Sequence, residues 1–402
     1  MPNRLRQQLA IFVRPNPAWY LLLSALALTC LGIAAISTVS EGAAQTQMAR
    51  LVIALVAMLI GMLMPPRVIA AMVWPIMGFS VALLVVLILP GVPRWIAPRI
   101  NGARSWLNLY VMNFQPSELA KIAFVLVIAQ FLRFRDDHRT VRGIGVLFLI
   151  MLLPMGLIMI EPDLGSAILF PPALLAMLLV AGAKLRHIGA VVGSGVLLVA
   201  AVVLAVLLLP DSLQGYVLKP HQRARIVSTF SLLRGDRSQV QDRDFQQDRA
   251  LTVAASGGAY GYGEKRSRTI VRQNALPEAH NDMIFAVIVN RWGLAGGLVT
   301  LGLYLMLILS FIAVAARTRD PFGRLTVIGL AAFICTQTFI NIGMNIGMLP
   351  ITGITLPLIS YGGSSLLATY GMLGLAMNFA TRPRAMLARP SFEFDQGEPA
   401  PS

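Results

Sequence analysis

The chain has 402 residues, 56% hydrophobic and only 13% charged, with a formal net charge of +15. A water-soluble protein of this length would carry roughly twice that charged fraction, which argues against a soluble enzyme. The positive charge does not indicate nucleic acid either, because most arginines lie between apolar runs, where they orient helices and meet anionic lipid head groups.

Taken in chain order, the apolar runs predict spanning helices at 18–37, 48–64, 68–90, 116–134, 143–160, 164–183, 188–210, 283–315, 323–345 and 363–381. Runs approaching 20 residues suffice to cross a hydrocarbon core about 30 Å thick. The expected fold class is therefore all-α, a polytopic membrane bundle of about ten helices. Arg4 and Arg6 ahead of the first run resemble a signal peptide, but the run is too long for one and no A-x-A site closes it, so it reads as a retained first helix. Helix eight is long, and its first turns are expected in the outer interface.

The short connections "PPR" (65–67), "RFRDDHRTVR" (133–142), "AKLRH" (183–187) and "ARTRDPFGR" (316–324) are basic, as is the tail. Both termini are thus expected in the cytoplasm. A long extracytoplasmic loop, 211–282, is the main polar stretch. Residues 1–382 read as one integral membrane domain and 383–402 as a disordered tail, without internal repeats. "ASGGAYGYG" (255–263) lets the backbone turn tightly or approach something closely, and lacks the spacing of a nucleotide loop. Arg94, Arg99 and Arg104 break the charge rule on the outer face, and an anionic ligand is one explanation. Cys30 and Cys335 make no CxxC pair, and the four histidines are too scattered for a zinc site.

Four clusters place costly groups at or inside the lipid zone. In "QPSELAK" (115–121), Glu118 and Lys121 are three apart on one helical face and are expected to pair, either lining a wet cavity or only fixing helix packing. In "EPDLGSA" (161–167), Pro162 breaks the chain, and Asp163 suits a helix N-cap as well as a substrate or metal role. "LPITGITLPLISYGGSS" (349–365) reads as an irregular re-entrant segment, with Ser364 and Ser365 either at a phosphate-binding helix start or in an ordinary cap. "LPEAHNDMIFAV" (276–287) carries Glu278, His280 and Asp282 to the edge of helix eight, where Asn281 or Asp282 would cap it if no chemistry were involved.

These clusters, in this order, resemble the SEDS family of shape, elongation, division and sporulation proteins, which includes RodA- and FtsW-like members. The match runs from about residue 18 to 382, on "QPSExxK", "EPDLGSA", "SGGxxGxG", "LPEAHxDxIFAV" and "LPLISYGGSS". "PITGITLP" looks more RodA-like, whereas "PEAH" also occurs readily in FtsW-like members. The resemblance implies a peptidoglycan glycosyltransferase of the bacterial cytoplasmic membrane, joining lipid II units at its outer face beside a class B penicillin-binding transpeptidase. It makes Asp282 the essential aspartate, Glu118 and Lys121 a cavity pair, and Asp163 an acidic rim position. The chain departs from the family at Asn281, at Asn290-Arg291, and at Arg249.

Residues expected to contact substrate are Arg104, Glu118, Lys121, Asp163, Arg223, Arg225, His280, Ser364 and Ser365, with Asp282 as general base. Arg104, Arg223 and Arg225 would hold pyrophosphate by forked hydrogen bonds, or else meet lipid head groups. A divalent cation, Mg or Mn, could share that work, with Asp163 or Asp282 as oxygen ligands; the metal is undecided. Expected partners are lipid II, the transpeptidase and membrane lipids, and no nucleic acid. A lipid II transporter, a noncatalytic scaffold and a division-specific FtsW-like enzyme are the competing readings.

Overall fold

A computed structural model describes residues 16–98, 104–109, 112–133, 141–208 and 242–382. Arg99, Arg223, Arg225 and the tail from 383 lie outside the described residues. The chain runs through α1 (Pro17–Val39), α2 (Glu41–Leu63) and α3 (Pro66–Ile88), then a small antiparallel pair, β1 (Leu107–Asn108) with β2 (Asn113–Phe114). There follow α4 (Pro116–Arg133), α5 (Val141–Ile160), α6 (Leu164–Ala167), α7 (Phe170–Val180), α8 (Leu185–Leu208), α9 (Asp242–Ser256) and α10 (Gly263–Gln273). The last three are α11 (Ile284–Arg317), α12 (Pro321–Asn345) and α13 (Gly363–Thr381).

Among the described residues, six helices are long and apolar enough to cross a membrane: α1, α2, α3, the 143–160 part of α5, α11 and α12. The chain is a multi-pass, all-α membrane protein. Helices α4 and α13 also stand where spans are expected, but their side chains are buried nearly all round, including Glu118 and Lys121 on α4 and Ser364, Thr369 and Asn378 on α13. Enclosed by other helices, they need not be apolar on every face. The outer helices present Leu59, Trp74, Leu149, Leu197 and Leu305 outward, as lipid contact requires.

The structure departs from expectation in three places. Span six is divided into α6 and α7, because Pro171 and Pro172 lack N–H groups and open a fresh helix in its first turn. The stretch expected as a loop holds α9 and α10, and α10 is anchored by buried Ser267 and Val271. Helix α11 bends at Gly293, whose φ is +68°. A methyl group there would stand 2.3 Å from the carbonyl oxygen of Ala259, and one on Gly261 2.3 Å from that of Arg291. The glycine-rich stretch thus meets the backbone of α11 itself.

Around that junction, Asn290 donates to Val253 O and Ser256 Oγ, both at 2.8 Å, and accepts from Ser267 Oγ. Arg291 reaches Thr38 Oγ1 and Glu264 Oε2, both at 2.8 Å, and the Ala34 carbonyl. Asn290 and Arg291, two of the residues that depart from the resemblance, therefore fasten α9, α10 and α1 to α11. Arg249 donates to the Ala275 carbonyl at 2.9 Å.

Candidate active site

The irregular segment 349–362 contains no helix and lies between the ends of α12 and α13. Unpaired backbone at such depth has to be satisfied by protein. Side-chain amides of α12 supply much of this. Gln337 donates to Thr355 O at 3.0 Å, and Asn341 to Ile354 O at 2.7 Å. From α9, Gln247 donates to Leu349 O at 2.8 Å and Met344 O at 3.1 Å. Ser360 Oγ accepts from Leu356 N and donates to Asn281 O, both at 2.7 Å, which ties the segment to the turn before α11.

Asp282 lies in that turn. Its main-chain carbonyl accepts from Asn341 Nδ2 at 3.0 Å and Asn345 Nδ2 at 2.8 Å. The expected capping role fails. Met283 is the N-cap of α11 and makes no side-chain cap bond, and the buried Asn281 Oδ1 has no partner. The Asp282 residue keeps part of its surface exposed and is not sealed in the core. A methyl group on Gly353 would lie 3.7 Å from its Oδ2, so the re-entrant segment passes directly beside it. Burial first, then the nearby charges of Glu278 and Asp163, push the Asp282 carboxyl up to about 7. Glu278 holds a left-handed φ of +49° and accepts from Asn281 Nδ2 at 2.6 Å.

Asp163 does cap α6, accepting from Ser166 N at 3.0 Å, while its second oxygen accepts from Gln115 Nε2 at 2.9 Å. The adjoining Gly165 packs so closely on the re-entrant segment that a methyl group would fall 2.7 Å from Thr352 O. Asp163 and Asp282 thereby share one end of the bundle. Glu161 is buried, its Oε1 unpaired, and burial with the Asp163 charge lifts its carboxyl to about 8. Ser105 Oγ donates to the Glu161 carbonyl at 3.4 Å, placing the segment that leads into β1, Arg104 included, beside the same turn. Arg104 Nε is buried without a hydrogen-bond partner.

Glu118 and Lys121 pair as expected, at 2.8 Å and almost fully buried. Lys121 also donates to Gln337 Oε1 at 3.1 Å, and Gln337 holds Thr355. Thr355 Oγ1 lies 3.3 Å from Ser365 Oγ, and Ser364 Oγ accepts from Gln115 N at 3.1 Å. Both serines are buried and engaged with protein. His280 contributes its carbonyl to Tyr361 N at 2.8 Å and its ring edge to the Tyr361 ring at 5.3 Å. The Arg50 guanidinium sits 4.6 Å from the centroid of that tyrosine.

The sequence reading missed Arg50, Tyr361, Gln337, Asn341 and Asn345. Arg50 had a signal, a single cation inside an apolar run. Among the described residues no three His, Cys, Asp or Glu side chains gather to hold a metal. Asp163 and Asp282 are two carboxylates close enough to feel each other, an oxygen pair suited to a hard cation only if other ligands complete its shell.

Comparison with known proteins agrees with this architecture. A protein in Escherichia coli (strain K12) named peptidoglycan glycosyltransferase MrdB is 34% identical over 289 residues, covering 72% of this chain and 74% of that one. A Pseudomonas fluorescens (strain SBW25) protein named probable peptidoglycan glycosyltransferase FtsW is 30% identical over 394 residues, covering 94% of this chain and 91% of its own. Among solved structures, one described as the structural coordination of polymerization and crosslinking by a peptidoglycan synthase complex superposes with TM-score 0.76 at 28% identity. It covers 91% of this chain and 98% of that one. The rod shape determining protein RodA of Thermus thermophilus gives TM-score 0.65 at 26% identity, covering 91% and 97%. Residues 18–385 match the family model for FtsW, RodA and SpoVE, described as cell cycle protein, and the chain belongs to that family.

Proposed function

We propose that this chain is a peptidoglycan glycosyltransferase that polymerises lipid II into glycan strands during cell elongation, with Asp282 as its general base. The names of its relatives support the activity. The observation that carries the residue assignment is the Asp282 carboxylate, beside the re-entrant segment at Gly353, unused by its own helix and raised to about 7. A base is most useful when its pKa lies near the working pH, and positioned proton transfer is worth roughly 10²–10⁴-fold in rate.

In this reaction the 4-hydroxyl of one GlcNAc attacks the anomeric carbon of the growing strand's terminal MurNAc. The new C–O bond forms as the bond to undecaprenyl pyrophosphate breaks, and the hydroxyl proton passes to Asp282. Direct displacement inverts the α-linked carrier sugar to a β-glycoside with a single carboxylate, where glycosidases employ two. The leaving pyrophosphate needs its charge neutralised more than it needs a proton. Arg104, Arg223 and Arg225 are assigned that role. Were a Mg or Mn ion bound, Asp163 would be the carboxylate to hold it and the ion would supply Lewis-acid neutralisation, which leaves Asp282 free as the base.

The basic short connections support cytoplasmic termini and a site at the outer face of the bacterial inner membrane. The peptidoglycan synthase complex among the structural neighbours supports a class B penicillin-binding transpeptidase as partner. "PITGITLP" and the rod shape determining RodA neighbour support the elongation branch over the division branch.

The test is glycan-strand formation from purified lipid II, measured with and without the cognate transpeptidase. Wild type is expected to polymerise and Asp282→Asn to lose turnover while still binding lipid II. Full turnover by Asp282→Asn overturns the assignment.

A further inference from the structure

Helix α11 begins without a local cap, although Asp282 is the kind of residue that normally caps from such a place. The missing function comes from α12. Asn345 Oδ1 accepts the Ala286 amide at 3.2 Å, satisfying an N–H in the first turn that would otherwise be orphaned. Its Nδ2 donates to the Asp282 carbonyl at 2.8 Å and to Asn341 O at 2.9 Å. Asn341, one turn earlier on the same face, bridges the Asp282 and Ile354 carbonyls at 3.0 and 2.7 Å. Both asparagines are fully buried.

We propose that Asn341 and Asn345 are positioning residues for the reaction: Asn345 caps α11 from a neighbouring helix and so leaves the Asp282 carboxylate free, while Asn341 locks Asp282 in register with the re-entrant segment. The proposal rests on the reading of Asp282 as the base. A capping carboxylate is engaged by backbone N–H groups, which stabilise its anion and weaken it as a base. With α11 capped remotely, Asp282 has no such bond to satisfy. Asn341 adds a fixed distance between Asp282 and the strand of chain that passes it at Gly353, and a small misplacement at a reacting centre can reduce the rate on the order of 10²-fold.

The test compares Asn345→Ala and Asn341→Ala with Asn378→Ala in the full-length protein with its transpeptidase. Asn378 is a buried amide of the same kind, bonded to Gly61, Met62 and Met64 carbonyls between α13 and α2, away from Asp282. Polymerisation of lipid II is followed against concentration and pH, at equal amounts of folded protein. Asn345→Ala and Asn341→Ala are expected to lower kcat by tenfold or more with KM little changed, and Asn378→Ala to retain kcat. Should Asn345→Ala fail to fold, Asn345→Ser, which keeps a small polar side chain but not the amide that both accepts from Ala286 and donates to Asp282, is read in its place by the same kcat and KM criteria. A kcat in both the Asn345 and Asn341 variants that matches Asn378→Ala overturns the proposal. Activity of Asp282→Asn in the same assay would instead overturn the identity of the base.

Discussion

Lys121 binds Glu118 at 2.8 Å and, through a second N–H, the side chain of Gln337, so an ion pair inside the bundle also holds the residue that fixes Thr355. Removing one partner of a buried pair leaves an uncompensated charge, at about 3–5 kcal/mol. Lys121→Met is therefore expected to lower the melting temperature sharply. Glu118→Leu combined with Lys121→Met should recover most of it, because no charge is left stranded. Turnover should stay depressed in the double variant, since Gln337 has lost the donor that orients it. Thermal unfolding and lipid II polymerisation on the same preparations check both points.

A base must be deprotonated to act, so turnover should rise with pH through about 7, where burial and neighbouring carboxylates place Asp282. Glu278→Gln removes one of the like charges that raise it. The acid limb should then shift to lower pH, as read from kcat/KM between pH 5 and 9, values spanning roughly two units either side of that midpoint.

Glu161 behaves in the opposite sense to a salt-bridged carboxylate. Its folded-state value, about 8, lies above the ordinary 4.5, so the folded protein holds this proton more tightly than the unfolded chain does. Stability linked to this group declines as pH rises from 4.5 and is lowest above 8. Glu161→Gln should match wild type in acid and unfold several degrees higher in alkali. Melting curves across that range would expose a reversed trend.

Gly293→Ala places a methyl group 2.3 Å from Ala259 O on a backbone with φ +68°. A loss of roughly 1–3 kcal/mol or more is expected. Gly302→Ala, further along the same helix with open space around it, should be neutral or gain up to about 1 kcal/mol from helix propensity. Unfolding temperatures of the two variants give the comparison directly.

Ionisable groups near lipid announce themselves in a sequence, which is why Asp282, Asp163 and the Glu118–Lys121 pair were legible. The amides were not. Asn341 and Asn345 read as polar interruptions of an apolar run, and the carbonyl they bind belongs to a residue 59 and 63 positions earlier. The local rule holds for Asp163 but fails at α11 for the same reason: it looks for the acceptor at the start of the helix, and there the acceptor comes from another helix. The glycines of 255–263 signalled close approach correctly, but only the fold shows that they approach α11. Helix α10 was read as loop because its polar face dominates eleven residues and only Ser267 and Val271 are buried.

The coupled charges of Glu118 and Lys121 also bear on energetics of another kind. Opposite charges 2.8 Å apart sum to zero, and their separation is a small part of a 30 Å dielectric slab. Even reversing that dipole end for end in a 100 mV field involves only about 0.4 kcal/mol, below thermal energy. Swings of voltage across the membrane should therefore leave this pair undisturbed.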